Sequence, residues 1–266
     1  MSRSVAKLLA GLVRGLSAPM SPYNRLKTRL MVAENLTQFI EVEGLKFFSP
    51  TARSTHDTNS LLDDGEPETI RWLNGLPEGE VLWDIGANVG AFSVYGAVKR
   101  KLRVVAFEPG AASFATLTKN IEINGLAGKV DAYCVALGDE TKLDYLHMAN
   151  TGAGHSMHAF GSSQTVEGKI TTVFRQAAPG FSADRFVEIF DAPKPDHIKL
   201  DVDSIELAIL KGAEGLLKTT VRSILVEVYD LDVGADIRTY LTGMGFAESS
   251  DSSPDEERNV VFRKHG

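Results

Sequence analysis

A glycine-rich turn directly after a buried strand is the clearest place for chemistry in this sequence. The apolar run Val81–Ile85 contains one acid, Asp84, and continues through Gly86 to Gly90. Glycine at these two positions lets the backbone turn tightly, approach a ligand and start a helix packed against the strand. The spacing differs from the dinucleotide fingerprint, and an acid here repels pyrophosphate but suits an ammonium group. The turn therefore predicts an amino-acid-like ligand, with five candidate contacts: Asp84, Gly86, Ala87, Asn88 and Gly90.

A second acid ends the next apolar run. Glu108 follows Val104–Phe107, and an acid at the tip of a second strand can accept both hydroxyls of a ribose. NAD enzymes use the same device, so Glu108 indicates adenosine without saying which adenosine compound. After the third strand, small residues beginning with Ala136 leave room for backbone hydrogen bonds to a base edge. Together these positions predict an adenosine site.

The elements that position these residues alternate regularly from Val81 onward. Short apolar runs are separated by segments with helical spacing, which is typical of a parallel sheet covered by helices on both faces. Predicted strands lie at Val81–Ile85, Arg103–Phe107, Val130–Val135, His197–Leu200, Ser223–Val228 and Asn259–Arg263. Predicted helices lie at Pro67–Leu76, Ala91–Lys101, Ala111–Ile123, Ile205–Leu217 and Asp236–Met244. Such a doubly wound α/β sheet binds ligands at the carboxyl ends of its strands.

The rest of the chain is assigned to an N-terminal extension and an insertion. Residues 1–65 are predicted to form a helix, a short hairpin around Glu43-Gly44 and a linker, all packing on a main domain at residues 66–266. Within that domain, about residues 143–195 depart from the alternation, and Asn150–Ser156 is small, polar and flexible. An insertion at this place lies near the ligand end of the sheet, although a surface excursion without function is the alternative.

Composition limits the class of partner. The 266 residues carry a net charge of −7, which opposes general binding to nucleic acid because phosphate contacts need clustered cationic side chains. The single cysteine, Cys134, cannot form an intramolecular disulfide or a zinc–thiolate site, so a reducing, cytoplasmic location is expected. No apolar stretch reaches the length that spans a bilayer.

The first twenty residues predict an amphipathic helix. Apolar residues from Val5 to Leu16 recur at helical spacing, and Lys7 and Arg14 interrupt what would be the apolar centre of a signal peptide. We expect this helix to pack on the main domain or on a second subunit, as in a homodimer. A basic amphipathic helix resting on a membrane surface is the less favoured alternative.

A fourth segment carries a family resemblance. Residues Ile198–Ala213, together with Asp84–Gly90, resemble the FkbM family of S-adenosylmethionine (SAM)-dependent methyltransferases, whose motif at this strand reads I-K-x-D-V-E-G-x-E-x-x-x-L-x-G-A. The resemblance implies a class I methyltransferase, Rossmann-like fold and O-methylation of a hydroxyl on a sugar, glycan or secondary metabolite. It also implies these contacts: the methionine part of SAM at Asp84, Gly86 and Gly90, the ribose at Glu108, and both SAM and the acceptor at Asp201.

One departure falls inside that motif. Asp203-Ser204 stands where the family commonly has Glu-Gly, which changes the groups available to an acceptor. Asp203 and Glu206 also have the spacing of a capping box, with Asp203 as the N-cap and Glu206 at the third helical position. Asp201 has no such structural explanation, so it is the preferred polar group beside the acceptor.

Methyl transfer to a hydroxyl needs an acceptor oxygen in line with the methyl group and a group that takes the hydroxyl proton. The candidate bases are Asp201, His155 and Glu227. Asp201 and Glu227 could instead share a divalent cation, although a histidine-based metal site is not expected and no metal is predicted. Two other functions remain as alternatives: an NAD-dependent oxidoreductase and a non-catalytic SAM-binding module.

Overall fold

The computed structural model describes residues 3–35, 39–50, 58, 66–165, 168–203, 205–228, 231–249 and 259–264. The chain forms two units, Met1–Phe39 and Ile40–Gly266. The first unit contains helices α1 (Arg3–Ser17) and α2 (Pro22–Asn35). None of the described helices is long and apolar enough to cross a bilayer. The predicted division at residue 65 stays a prediction, because residues 51–57 and 59–65 lie outside the described part of the chain.

The described residues after α2 form a hairpin, thirteen further strands and seven helices. The hairpin consists of β1 (Phe39–Val42) and β2 (Leu45–Phe48) and turns at Glu43-Gly44, where both residues have a positive φ. The strands that follow are β3 (Val81–Ile85), β4 (Arg103–Phe107), β5 (Val130–Tyr133), β6 (Ala136–Gly138), β7 (Lys142–Met148), β8 (His158–Phe160), β9 (Gln164–Thr165), β10 (Gly168–Lys169), β11 (Phe174–Ser182), β12 (His197–Leu200), β13 (Ser223–Glu227), β14 (Phe246–Glu248) and β15 (Asn259–Lys264). The further helices are α3 (Pro67–Asn74), α4 (Ala91–Lys99), α5 (Ala111–Ile123), α6 (Ala183–Phe190), α7 (Glu206–Gly212), α8 (Glu214–Thr219) and α9 (Leu231–Gly243).

The main sheet has seven strands in the order β14-β15-β13-β12-β3-β4-β5. Strands β13, β12, β3, β4 and β5 pair in parallel, and β15 runs antiparallel to its neighbours. This confirms the predicted α/β class with a mostly parallel sheet. The chain builds outward in opposite directions from β3 and β12, so the strand order reverses between these two strands. In open α/β sheets such a reversal opens a ligand crevice at the carboxyl ends of the strands.

Two apolar clusters cover the two faces of this sheet. Trp83 lies in the first, where its ring is 4.8 Å from that of Phe107 and both contact Phe186 on α6. The indole nitrogen of Trp83 donates a hydrogen bond to the Pro193 carbonyl over 2.8 Å, so its polar atom is satisfied inside the core. The opposite face packs on α3 and α4 through residues that include Trp72 and Phe92.

The insertion after β5 folds into a second, four-stranded sheet in the order β6-β11-β7-β8. We expected the Asn150–Ser156 part of this region to be flexible, and it forms a described loop between β7 and β8. One face of the sheet is buried through Leu146, Met148, Phe160 and Ala178, whereas Leu143 and Tyr145 on β7 are exposed. This period-two pattern is short in each strand, and its pairing joins residues far apart in sequence, so local reasoning did not detect the sheet.

The segment after β12 corrects two predictions. The single helix expected at Ile205–Leu217 is divided at Ala213 into α7 and α8. The capping-box interpretation is wrong: Ile205 is the N-cap of α7, Glu206 is its first residue, and no side-chain cap hydrogen bond forms. Asp203 instead accepts a hydrogen bond from the backbone of His158 in β8, over 2.7 Å. A tertiary contact thus replaces the local one.

Candidate active site

The glycine-rich turn is built by close backbone approach. Gly86 has a φ of +83°, and a Cβ atom there would lie 1.8 Å from the carbonyl oxygen of Asp201. The Asp201 amide in turn donates to the Ile85 carbonyl over 3.1 Å, so the ends of β3 and β12 are held together at this point. Gly90, also at +83°, is the N-cap of α4, and a Cβ there would lie 2.3 Å from Leu117 Cδ1. The space at Gly90 therefore accommodates helix α5, rather than the strand we expected.

Asp84 is buried beneath the turn. Its Oδ2 atom accepts a hydrogen bond from Ser93 Oγ at 2.5 Å, and its Oδ1 atom has no hydrogen-bond partner among the described residues. Burial raises the pKa of this carboxyl above its ordinary value, against the opposing effect of the Lys199 ammonium. The turn residue Asn88 likewise has a buried side-chain oxygen that lacks a partner within the described chain. Unsatisfied buried acceptors of this kind suit the donors of a bound ligand.

Lys199 is a site residue that sequence reasoning missed. It lies opposite Asp84 in the parallel register, is only 2% exposed, and donates a hydrogen bond from Nζ to Asp201 Oδ2 over 2.6 Å. Burial disfavours the ammonium, but Asp201, Glu66 and Asp84 together raise the pKa of Lys199 above its ordinary value. A lysine inside the apolar strand His197–Leu200, two residues before an acid, was the available sequence signal.

Glu108 joins the two loops that end β3 and β4. One carboxylate oxygen accepts from the Asn88 amide over 2.9 Å, and the other accepts from the Gly110 amide over 2.7 Å. Burial raises the pKa of Glu108 to about 7. Each oxygen retains a second lone pair, so the carboxylate can still accept bonds from a ligand's hydroxyls. Asn88 and Glu108, predicted from separate motifs, are therefore in direct contact.

The loop after β12 gathers more acids. Asp201 is 30% exposed, and Asp203 and Glu206 lie two and five residues after it in the sequence. Glu206 is 2% exposed, and neither of its carboxylate oxygens has a partner in the described part of the chain. Burial, together with the charges of Asp201 and Asp203, raises the pKa of Glu206 to about 8. Ser204, the second residue of the Asp203-Ser204 departure, lies outside the described residues.

The remaining predicted residues occupy different surroundings. Glu227 is buried at the end of β13, and because Val226 pairs with Leu200, Glu227 and Asp201 occupy neighbouring positions in the sheet register. Ala87 is buried within the turn. Ala136 begins β6 in the second sheet, where it pairs with Gly180. His155 is partly exposed in the loop between β7 and β8. Within the described residues, no three histidine, cysteine or acidic side chains are grouped to hold a metal ion.

The insertion contacts both halves of the site. Beside the loop that ends β4, Gln176 of β11 donates to the Pro109 carbonyl over 2.6 Å and accepts from the Ala111 amide over 3.0 Å. On the other side, His158 of β8 binds Asp203. The crevice thus combines buried acids, one buried ammonium and unsatisfied acceptors. This donor set fits a cationic amino-acid ligand with a ribose, such as SAM.

Comparison with known proteins identifies the family. The sequence matches the Methyltransferase FkbM domain over residues 84–247, more than half of the chain. It is 30% identical to the hexuronic acid methyltransferase AglP of Haloferax volcanii over 62% of this chain and 63% of that protein. It is 25% identical to the 31-O-demethyl-FK506 methyltransferase FkbM of Streptomyces tacrolimicus over 67% of this chain and 77% of that protein. The match with AglP thus spans less than two thirds of that relative.

A further relative and one solved structure extend the comparison. The methyltransferase sdnD of Sordaria araneosa is 23% identical over 88% of this chain and 99% of that protein. A crystal structure of methyltransferase FkbM from Methylobacillus flagellatus KT shares 18% identity, with a TM-score of 0.49, over 71% of this chain and 44% of that chain. The domain match confirms the resemblance inferred from the sequence, together with its fold class and its cofactor, SAM. The chain is a member of the FkbM methyltransferase family.

Proposed function

We propose that this chain is a SAM-dependent O-methyltransferase that acts on a hydroxyl of a sugar, glycan or secondary metabolite. The observation that carries this proposal is the contact between the Gly86–Gly90 turn, Glu108 and Asp201 at the point where the strand order reverses. The names of AglP, a hexuronic acid methyltransferase, and of FkbM, a 31-O-demethyl-FK506 methyltransferase, support the acceptor classes. The family match favours this function over an NAD-dependent oxidoreductase.

The residues divide the work between binding and positioning. SAM supplies a methyl group already activated on a sulfonium. Asp84 and the Gly86–Gly90 turn, with Ala87 and Asn88, would hold its amino-acid part, Glu108 would hold the ribose hydroxyls, and Ala136 would lie towards the adenine edge. Asp201, bound to Lys199, would orient the acceptor hydroxyl in line with the methyl group. Glu227 and His155 remain candidates for the proton transfer.

Calorimetric titration with S-adenosylhomocysteine, the reaction product of SAM, tests the cofactor site. We expect Glu108→Ala to weaken binding at least about tenfold, because bonds to a charged group contribute roughly 1.5–3 kcal/mol. Since Glu108 has a pKa of about 7, affinity in the wild type should also fall as the pH drops below 7 and the carboxylate takes up a proton. Glu122→Ala removes an acid that is 70% exposed and should leave binding unchanged.

The same titration, together with an assay of methyl transfer, decides among the alternative functions. Binding of NAD without any response to S-adenosylhomocysteine would overturn the methyltransferase proposal. Binding of S-adenosylhomocysteine without methyl transfer from SAM to a panel of uronic acids, neutral sugars and macrolides would favour the non-catalytic module. Transfer to one acceptor class, detected by mass spectrometry as a gain of one methyl group, would identify the substrate.

The apolar side of α1 suggests self-association. Leu8, Leu12 and Leu16 are 65%, 53% and 72% exposed, and residues 1–33 contain no acid although the chain carries a net charge of −7. We propose a second copy of this acidic chain as the partner, and a cytoplasmic location consistent with its single cysteine. Replacing the three leucines with serine should lower the sedimentation coefficient from that of a dimer to that of a monomer, whereas Leu143→Ser, also exposed, should not. A wild-type monomer that co-sediments with anionic vesicles would support membrane contact instead.

A further inference from the structure

His158 lies on the inner face of the second sheet. It pairs with Met148 across β7 and β8, and Leu146 pairs with Phe160 two residues along. Paired residues, and residues two apart on a strand, share one face of a sheet. Leu146, Met148 and Phe160 form the buried cluster that packs against Ile205, and Leu146 also lies beside Gly110. The face that carries His158 is therefore the one turned towards the loops that end β4 and β12.

A backbone contact fixes His158 beside the proposed acceptor position. The His158 amide donates to Asp203 Oδ2, and Asp203 follows Asp201 by two residues. The donor in this contact is the main-chain amide, so the imidazole ring takes no part in it. The Nδ1 atom of His158 is buried and has no hydrogen-bond partner among the described residues, so it is left to accept a bond from a group brought into the site.

We propose that His158 takes the proton from the acceptor hydroxyl during methyl transfer, an inference that rests on the proposed function. The acceptor oxygen forms a bond to the methyl carbon as the carbon–sulfur bond breaks and its electron pair goes to sulfur. The hydroxyl proton goes to a ring nitrogen of His158 and then to water, which restores the neutral imidazole. Atoms and charge balance without a metal or a further reactant.

The other candidate bases are less suited to this step. Asp201 already binds the Lys199 ammonium, which compensates its charge. Glu206 has a pKa of about 8, so it holds a proton near neutral pH, and Glu227 is buried in the sheet. Burial lowers the pKa of His158, with smaller effects from the Met157 backbone and from His155, and this keeps the ring neutral and able to accept a proton at pH 7. On the facing loop, Asp203 is the acid that contacts the His158 backbone.

The test compares His158→Gln with His147→Gln, a histidine of the neighbouring strand β7 that lies on the opposite face of the same sheet. Glutamine preserves the backbone bond to Asp203, so binding of S-adenosylhomocysteine should stay within threefold of wild type in both variants. We expect His158→Gln to lower kcat about 10²- to 10⁴-fold with little change in KM, and added imidazole to restore part of the rate. The wild-type kcat should fall as the pH drops below the His158 pKa, and this acid limb should disappear in His158→Gln.

Two results would overturn the assignment. The first is a His158→Gln enzyme whose kcat stays within threefold of wild type, or a His147→Gln enzyme whose kcat falls as far as that of His158→Gln. The second needs no acceptor: the imidazole NMR signal of His158, assigned by its loss in His158→Gln, should shift when S-adenosylhomocysteine binds, and an unmoved signal contradicts its place in the site. A wild type that binds S-adenosylhomocysteine but methylates no acceptor would instead count against the proposed function.

Discussion

Replacing Gly86 with alanine should abolish S-adenosylhomocysteine binding and lower the free energy of unfolding by roughly 3 kcal/mol. Two costs combine at this position. An alanine is strained at a φ of +83°, and its Cβ would lie 1.8 Å from the Asp201 carbonyl oxygen, a backbone atom that cannot rotate away. To accommodate the methyl group, the ends of β3 and β12 must separate, which widens the crevice at its floor. Urea denaturation gives the stability, and calorimetry gives the binding.

Gly79→Ala provides the matched control. Gly79 has a φ of +82°, yet no atom lies within 4 Å of the position its Cβ would take. This variant should therefore show only the conformational cost of about 1–2 kcal/mol and bind the ligand normally. Equal losses of stability in the two variants would mean that the contact with Asp201 adds nothing, and the proposed coupling between the strands would be wrong.

Lys199→Met should destabilise the protein by about 3–5 kcal/mol near neutral pH. The ammonium is buried between Asp84 and Asp201, and its loss leaves two carboxylates without their shared cation. Methionine keeps much of the apolar volume against Phe92, so the change isolates the charge. Ligand affinity should fall as well, because Asp201 loses the bond that orients it.

The pH dependence gives this prediction a direction. The folded pKa of Lys199 lies above its unfolded value of about 10.4, so its stabilising contribution is present at neutral pH and is lost as the pH rises through the folded pKa. Burial raises the pKa of Asp84, so as the pH falls through that raised pKa the carboxyl takes up a proton, and the difference between wild type and Lys199→Met should shrink. Lys101→Met, which breaks an exposed pair with Glu78, should change stability by less than about 0.5 kcal/mol. A similar loss in both variants would refute the buried-charge argument.

The sequence could predict those parts of the site that depend on a few neighbouring residues. The strand before Asp84, the glycines after it and the acid at Glu108 depend on short-range patterns, and the structure places these residues at adjoining strand ends. The parallel sheet also followed from the alternation of apolar runs and helical segments. The assignment of ligand contacts to these residues remains a prediction.

Features that depend on strand register or on contacts between distant segments could not be predicted from the sequence. Lys199 became a site residue because the parallel pairing sets it opposite Asp84, and pairing is not visible in either strand alone. Asp203 was predicted to be a helix cap from its spacing to Glu206 in the sequence. Its hydrogen-bond partner is instead the backbone of His158, 45 residues earlier in the chain. Glu206 was assigned to the same cap. In the structure its carboxyl is buried near Asp201 and Asp203, which raises its pKa to about 8.

The second sheet starts and ends at one place. Gly138 at the end of β6 lies opposite Ser182 at the end of β11, so the chain leaves and re-enters the main fold at neighbouring points. We call the segment between them, residues 139–181, the cassette, and its two ends lie next to each other. Grafting this cassette from one family member to another should exchange acceptor preference while leaving the cofactor half intact, provided that the Gln176 and His158 anchors travel with it. For protein engineers, the Gly138–Ser182 pair marks where such an exchange should begin and end.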